Sequence, residues 1–160
     1  EERHTGLIRH LVIRVNRKGE AVACVVANAS RLSHERELAE AFLSAGAIGA
    51  VLNVNTARTN VILGPVFRTL AGNSTLRDTL CGLSFDLSPA SFYQVNPAQA
   101  EVLYRTALDF ADLRPDDLVC DVYCGAGTIT LCMARRCREA IGIELVPEAT
   151  PVMRAKELPF

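Results

Sequence analysis

Between Asp121 and Leu131 the chain reads DVYCGAGTITL: a short apolar run closes on a carboxylate, and a Gly-x-Gly turn opens straight into a helical pattern. Residues of these types at this spacing can hold a small ligand at the mouth of a strand–loop–helix unit. Gly125 and Gly127 let the backbone approach a ligand and adopt torsions that side chains disfavour. Asp121 stands where a carboxylate repels a pyrophosphate but suits an ammonium. Glu144 closes the next apolar run, placed to accept hydrogen bonds from ribose hydroxyls. A dinucleotide fingerprint wants a third glycine where Thr130 stands, and no Gly-Lys-Ser/Thr follows the turn, so both phosphate-loop patterns fail. A ligand with an amine, a ribose and no phosphate suits what remains, which describes S-adenosylmethionine. The alternative is that Asp121 and Glu144 merely cap helices or face water.

The elements around this loop predict an α/β arrangement. RPDDLVCDVYCGAG reads as turn, strand and loop, TITLCMARRC as a helix, and EAIGIELV as the next strand. A strand, helix and strand in so short a span form a βαβ crossover, which implies a parallel pair. Upstream, Pro97 suits a first helical turn after Asn96, and Ala100, Leu103, Tyr104, Ala107, Leu108 and Ala111 recur at helical spacing. TLRDTLCGLSFDLSP predicts a hairpin about Cys81–Gly82. The first half reads as strand, strand, helix, strand, with NRKG as the first turn, Ser33 as the helix N-cap, an apolar stripe of Leu38, Ala41, Phe42 and Ala45, and Gly46 as the stop. VILGPVFRTLAGNS reads as turn-punctuated. The expected division is an α+β domain over 1–76 and the start of a Rossmann-like domain over 77–160, with the boundary between Asn73 and Leu83.

Composition bounds the function classes. The chain has 160 residues, 49% hydrophobic and 22% charged, which is globular rather than disordered. No apolar run is long enough to span a bilayer, and the first residues are charged, so neither a membrane helix nor a signal peptide is expected. Cys24, Cys81, Cys120, Cys124, Cys132 and Cys137 form no C-x-x-C pair, and several lie in apolar runs, which points to a reducing, cytoplasmic setting. His4, His10 and His34 have no metal-ligand spacing. The net charge of −1 conceals an asymmetry: ten Lys/Arg against six Asp/Glu up to Arg77, and seven against twelve thereafter. A basic first half could face RNA phosphates or be ordinary solvated surface.

Three stretches, LSPASFYQVNPAQAEVLY, DVYCGAGTITL and IGIELVPEA, in this order and spacing resemble the RNA uracil-5-methyltransferases, which make 5-methyluridine in ribosomal and transfer RNA. The upstream VNTARTNVILG is similar to the bacterial 23S ribosomal-RNA branch. The likeness covers Asn53 to Ala149 well and the first fifty residues loosely. It implies that Gln94 contacts S-adenosylmethionine, that the Tyr123 ring lies against it, that Thr128 hydrogen-bonds it and that Glu144 holds its ribose, beside Asp121, Gly125 and Gly127. Phe92 and Tyr93 are expected to pack, and Asn96 to cap the helix.

The chemistry the resemblance implies needs groups that this sequence lacks. A cysteine thiolate adds to carbon 6 of a flipped-out uracil, carbon 5 attacks the sulfonium methyl, and a base then removes the carbon 5 proton as the cysteine thiolate is eliminated from carbon 6. In the family the nucleophile lies in a Ser-Cys-Asn-Pro-like strand end near the C-terminus, with the base also downstream, and neither occurs here. Cys124 belongs to the cofactor loop and Cys81 to a hairpin turn, so neither is expected to substitute. The text after IELVPEA becomes TPVMRAKELPF, with Pro151 where early helix is expected, which reads as a truncated, frame-shifted or clipped chain. The cysteines that hold an iron–sulfur cluster in many relatives are absent, as is the small N-terminal RNA-binding domain. The expectation is a chain inactive by itself. The competing readings are a non-catalytic RNA-binding module and a fragment of a nucleotide-binding dehydrogenase, the latter disfavoured by Thr130 and Asp121.

Overall fold

The structure is a computed structural model that describes residues 6–145 and the backbone of 152–155. The chain divides into two compact units, Glu1–Asp78 with Asp86–Ala90, and Thr79–Phe85 with Ser91–Phe160. The division passes through a hairpin, so that residues 86–90 return to the first unit.

The first unit is a four-stranded sheet ordered β1-β2-β3-β4. Strands β1 (Ile8–Val15) and β2 (Ala21–Ala27) pair antiparallel across a turn in which Gly19 takes φ +82. Asn16 organises that turn: its Oδ1 accepts from the N–H groups of Lys18 and Glu20 at 2.9 and 3.0 Å. Helix α1 (Glu35–Ser44) then crosses to β3 (Ala47–Val54), which lies parallel to β2. A strand flanked by two partners is buried on both faces, and the unbroken VACVVA run of β2 supplies what that needs. Val22, Cys24, Val51 and Leu76 form its core.

Three expectations change here. The residue before α1 is His34, with no side-chain cap, and not Ser33. Instead Glu35 accepts from the Leu32 N–H at 2.7 Å and pairs with Arg68, which holds the helix start from inside its first turn. The buried face of α1 centres on Ala39, while Ala41 and Ala45 are exposed. The stripe is rotated because only one side of this short helix meets the sheet. The segment read as turns contains β4 (Val66–Gly72), antiparallel to β3. Its largely exposed pattern carries no alternation, so the register with β3 and not periodicity makes it a strand.

Strands β5 (Leu76–Leu80) and β6 (Leu83–Leu87) form the expected hairpin. Cys81 and Gly82 both take positive φ, +52 and +72, as a two-residue type I′ turn requires. In the second unit α2 (Pro97–Ala111) begins where expected: Asn96 Oδ1 accepts from the Gln99 N–H at 3.1 Å, with Pro97 in the first turn. Ala100, Tyr104 and Leu108 are buried, whereas Leu103 is exposed. Strand β7 (Leu118–Val122), helix α3 (Thr128–Ala134) and strand β8 (Glu139–Ile143) form the expected βαβ unit, with β7 and β8 parallel. Strand β9 (Val152–Ala155) pairs antiparallel with β8, which satisfies a second row of β8 backbone groups. The VPEA part of the third motif, together with Pro151 and His4, lies outside the described residues. No helix among the described residues is long and apolar enough to cross a membrane.

Candidate functional site

The loop between β7 and α3 is built from left-handed backbone. Tyr123, Gly125 and Gly127 take φ of +68, +56 and +75. For the glycines this is cheap, but for Tyr123 it stores about 1–3 kcal/mol of strain, a common mark of a ligand-binding turn. The strain is held by the strand beyond: the Ile143 carbonyl accepts from the N–H groups of both Tyr123 and Cys124, at 2.8 and 3.0 Å. The Tyr123 ring, 78% exposed, is therefore turned out to solvent rather than packed in the core. A Cβ added to Gly125 would meet nothing within 4 Å, so the space beside the loop is open.

The two carboxylates singled out in the sequence are both tied into this loop. Asp121, near the end of β7, accepts from the Thr130 hydroxyl at 2.5 Å, and Thr130 is fully buried. Thr130 entered the sequence reading only as a missing glycine, yet it fixes the direction of the Asp121 carboxylate. Glu144, just past β8, reaches back across nineteen positions and accepts from the Gly125 N–H at 2.8 Å. Its other oxygen accepts from the Leu145 N–H at 2.7 Å. Each carboxylate oxygen offers two lone pairs, so Glu144 keeps capacity for a further donor.

Sequence reasoning passed over Gly142. This residue pairs with Asp121 across the β7–β8 ladder, and a Cβ there would lie 2.8 Å from Cys124 Sγ, 3.1 Å from Cys124 Cβ and 3.2 Å from Thr130 Oγ1. The floor of the loop is thus packed directly on bare backbone. A lone glycine inside a strand pattern is the one sequence signal of such a close approach.

Helix α2 is tied to this loop through Tyr104, whose hydroxyl lies 2.7 Å from that of Thr128. The Thr128 side chain is thereby held at the helix start, and the segment Ser91–Asn96 leads into the same α2. Gln94 is half-buried in that segment. Phe92, expected to pack, is 76% exposed because the segment runs over the surface before the Asn96 cap. Tyr93 does pack, its ring 6.5 Å from that of Phe85.

None of the buried thiols near the loop is activated. Burial pushes the Cys124 thiol up, and the Asp121 and Glu144 carboxylates push it further. Cys132 is pushed up to about 12, chiefly by burial and then by the adjacent Cys81 thiol. A thiol held protonated is a poor nucleophile. The cavity of about 420 Å³ in this unit, lined by residues such as Cys81, Glu101, Arg105 and Arg135, includes none of the expected site residues. Its volume marks the groove among α2, the hairpin turn and the end of α3, and the loop chemistry lies elsewhere.

No protein-family model matches the chain. It is 41% identical over 152 residues to an uncharacterized RNA methyltransferase of Halalkalibacterium halodurans, covering 93% of this chain and 33% of that one. Uncharacterized RNA methyltransferases of Streptococcus mutans, 41% identical, and Clostridium tetani, 38% identical, show the same coverage of this chain, and 34% and 33% of their own lengths. The chain thus spans about a third of the length of these curated relatives. Among solved structures it is similar to the Pyrococcus abyssi tRNA (uracil-54, C5)-methyltransferase in complex with S-adenosyl-L-homocysteine. The TM-score is 0.71 at 21% identity, over 92% of this chain and 36% of that one. That likeness supports the same Rossmann-like methyltransferase fold.

Proposed function

We propose that this chain, which is 41% and 38% identical to two bacterial RNA methyltransferases over about a third of their length, belongs to their family and that its second unit carries part of an S-adenosylmethionine site. The whole enzyme would methylate carbon 5 of a uridine in RNA, with 23S ribosomal RNA as the first candidate and transfer RNA as the second. The observation that carries this reading is the convergence of Asp121 and Glu144 on one strained, open-sided glycine loop.

The residues present fit the cofactor. When bound, it supplies an electrophilic methyl group on a sulfonium. Asp121, oriented by Thr130, would take the ammonium, and Glu144 the ribose hydroxyls. The outward Tyr123 ring would lie along the ligand, with Gly125 and Gly127 admitting close approach of the backbone. Thr128 and Gln94 would supply the remaining hydrogen bonds, and the Tyr104–Thr128 contact would keep the Thr128 hydroxyl in place. The first unit is assigned to RNA, in keeping with its excess of basic residues, and the protein to the cytoplasm. An iron–sulfur cluster belongs to this reading only through relatives, since the cysteines that would hold it do not occur here.

This chain by itself is proposed to bind without transferring the methyl group. The nucleophile and base that the chemistry needs are not among its residues, and Cys124 is held protonated. Titration of S-adenosylmethionine into the purified chain by calorimetry tests the site. Glu144→Ala should weaken binding by about tenfold or more, because it removes a charged acceptor and releases Gly125. A folded chain that gives no heat, or a mutant that binds as tightly as the parent, would overturn the assignment.

A further inference from the structure

The connection between β3 and β4 runs from Asn55 to Pro65, eleven residues where antiparallel neighbours need only a few. It is far from loose. Asn53, fully buried, donates to the carbonyls of Gly64 and Val66 at 2.8 and 3.2 Å and accepts from the Gly64 N–H at 2.8 Å. Asn55, 2% exposed, donates to the carbonyls of Val61 and Ile62 and accepts from the Ala57 N–H. From β1, the Arg9 guanidinium donates to the carbonyls of Asn55, Ala57 and Thr59 at 2.9, 2.7 and 3.3 Å. Gly64 lies so close to β3 that a Cβ would fall 2.0 Å from the Val54 carbonyl oxygen. Two buried amides and a guanidinium thus fix the inner side of the loop. Its outer residues, Thr56 to Ile62, are all exposed, with Val61 at 57% and Ile62 at 48%.

A long compact loop pinned from within, with Val61 and Ile62 exposed on its outer side, is built to present a surface. Its charge says to what. Beside it lies a cleft of about 160 Å³ lined by Arg9, Asn28, Thr56, Ala57 and Arg58, two cations and no carboxylate. Arg9 is committed to backbone carbonyls, whereas the exposed Arg58 makes no hydrogen bond or ion pair among the described residues. A free anion would need the cleft alone. A single RNA strand would use both parts, a phosphate in the cleft and the apolar parts of a nucleoside against Val61 and Ile62.

We infer that the 55–65 loop is a preformed contact site for single-stranded RNA, with Arg58 and its cleft holding a backbone phosphate. This rests on the reading of RNA as substrate and adds to it the place of contact. Preorganisation removes the ordering penalty that a floppy loop would carry into the complex.

The test is fluorescence anisotropy of a labelled single-stranded oligouridine with the 160-residue chain across a salt series. Arg58→Ala should weaken binding by roughly fivefold and lower the log–log salt slope by about 0.7, the share of one phosphate contact on a single strand. Arg58→Lys should restore most of the slope, and Arg36→Ala, on exposed α1, should change neither quantity. An unchanged slope in Arg58→Ala, or no RNA binding at low salt, overturns the inference. So does inorganic phosphate at matched ionic strength competing fully with the oligonucleotide, since that would reduce the site to the cleft alone. Cofactor binding by Arg58→Ala is measured in parallel. Normal heat with unaltered RNA affinity refutes the loop and leaves the cofactor site standing.

Discussion

Substituting Gly142 by alanine tests whether the glycine loop is seated on bare backbone. The added methyl would lie 2.8 Å from Cys124 Sγ and 3.1 Å from its Cβ. Optimal contacts between carbon atoms are about 3.5–4.0 Å, so something must move by roughly an ångström. The thiol cannot swing freely, because Cys124 is buried and its N–H is held by the Ile143 carbonyl. Overpacking of this kind costs about 1–3 kcal/mol. All three tyrosines, Tyr93, Tyr104 and Tyr123, lie in the second unit, and the chain has no tryptophan. Tyrosine fluorescence in a urea titration therefore reports on the unit that carries the substitution. Cys124→Ala supplies the second arm of a double-mutant cycle: it removes the nearest clashing atom and leaves the 3.1 and 3.2 Å contacts. The double mutant should recover about 1 kcal/mol relative to the sum of the single changes. Gly142→Ala should also weaken cofactor binding, because the displaced atoms carry Tyr123 and Gly125. Strict additivity, or a Gly142→Ala protein as stable as the parent, would refute the account of how the loop is supported.

Two further outcomes follow from the same packing. Cys81 occupies a position with φ +52 beside Gly82, where asparagine is far better suited, so Cys81→Asn should raise stability by about 0.5–1 kcal/mol; a loss would mean that its contact with the Cys132 thiol outweighs the turn. Burial raises Cys24 to about 11 and Cys132 to about 12 from the ordinary 9.0. The folded state holds these protons more tightly than the unfolded chain, so the stability they contribute is complete below about pH 9 and falls away as pH climbs through 11 to 12. Urea midpoints of the second unit taken between about pH 8 and pH 11 should decline, less steeply in Cys132→Ala, and identical slopes in the two proteins would refute the assignment.

Much of this molecule was legible because its signals are local. The β7–α3–β8 unit announced itself through an apolar run, a glycine turn and a change of period. The Asn96–Pro97 helix start and the Cys81–Gly82 turn were equally readable, since caps and type I′ turns depend on two or three adjacent residues. What sequence alone missed depends on partners far along the chain. The exposed strand β4 has no alternation and is defined by its register with β3. The buried face of α1 was misplaced because helical periodicity does not say which side will meet a sheet. The strand β9 is defined by pairing with β8 rather than by its own pattern.

The site divides along the same line. By itself the sequence determined that a glycine loop follows a strand, that carboxylates stand at the ends of two strands, and that the residue types suit an amine and a ribose. Tertiary structure decided which groups aim those carboxylates, Thr130 on Asp121 and the Gly125 N–H on Glu144, and which group holds the Thr128 hydroxyl, Tyr104. It also decided that Gly142 must remain bare and that two buried asparagines with Arg9 hold the 55–65 loop in one shape. The physical reason is that backbone propensity and hydrophobic period act over a few residues. A hydrogen bond or an excluded methyl group depends on distances that exist only after strands remote in sequence have paired.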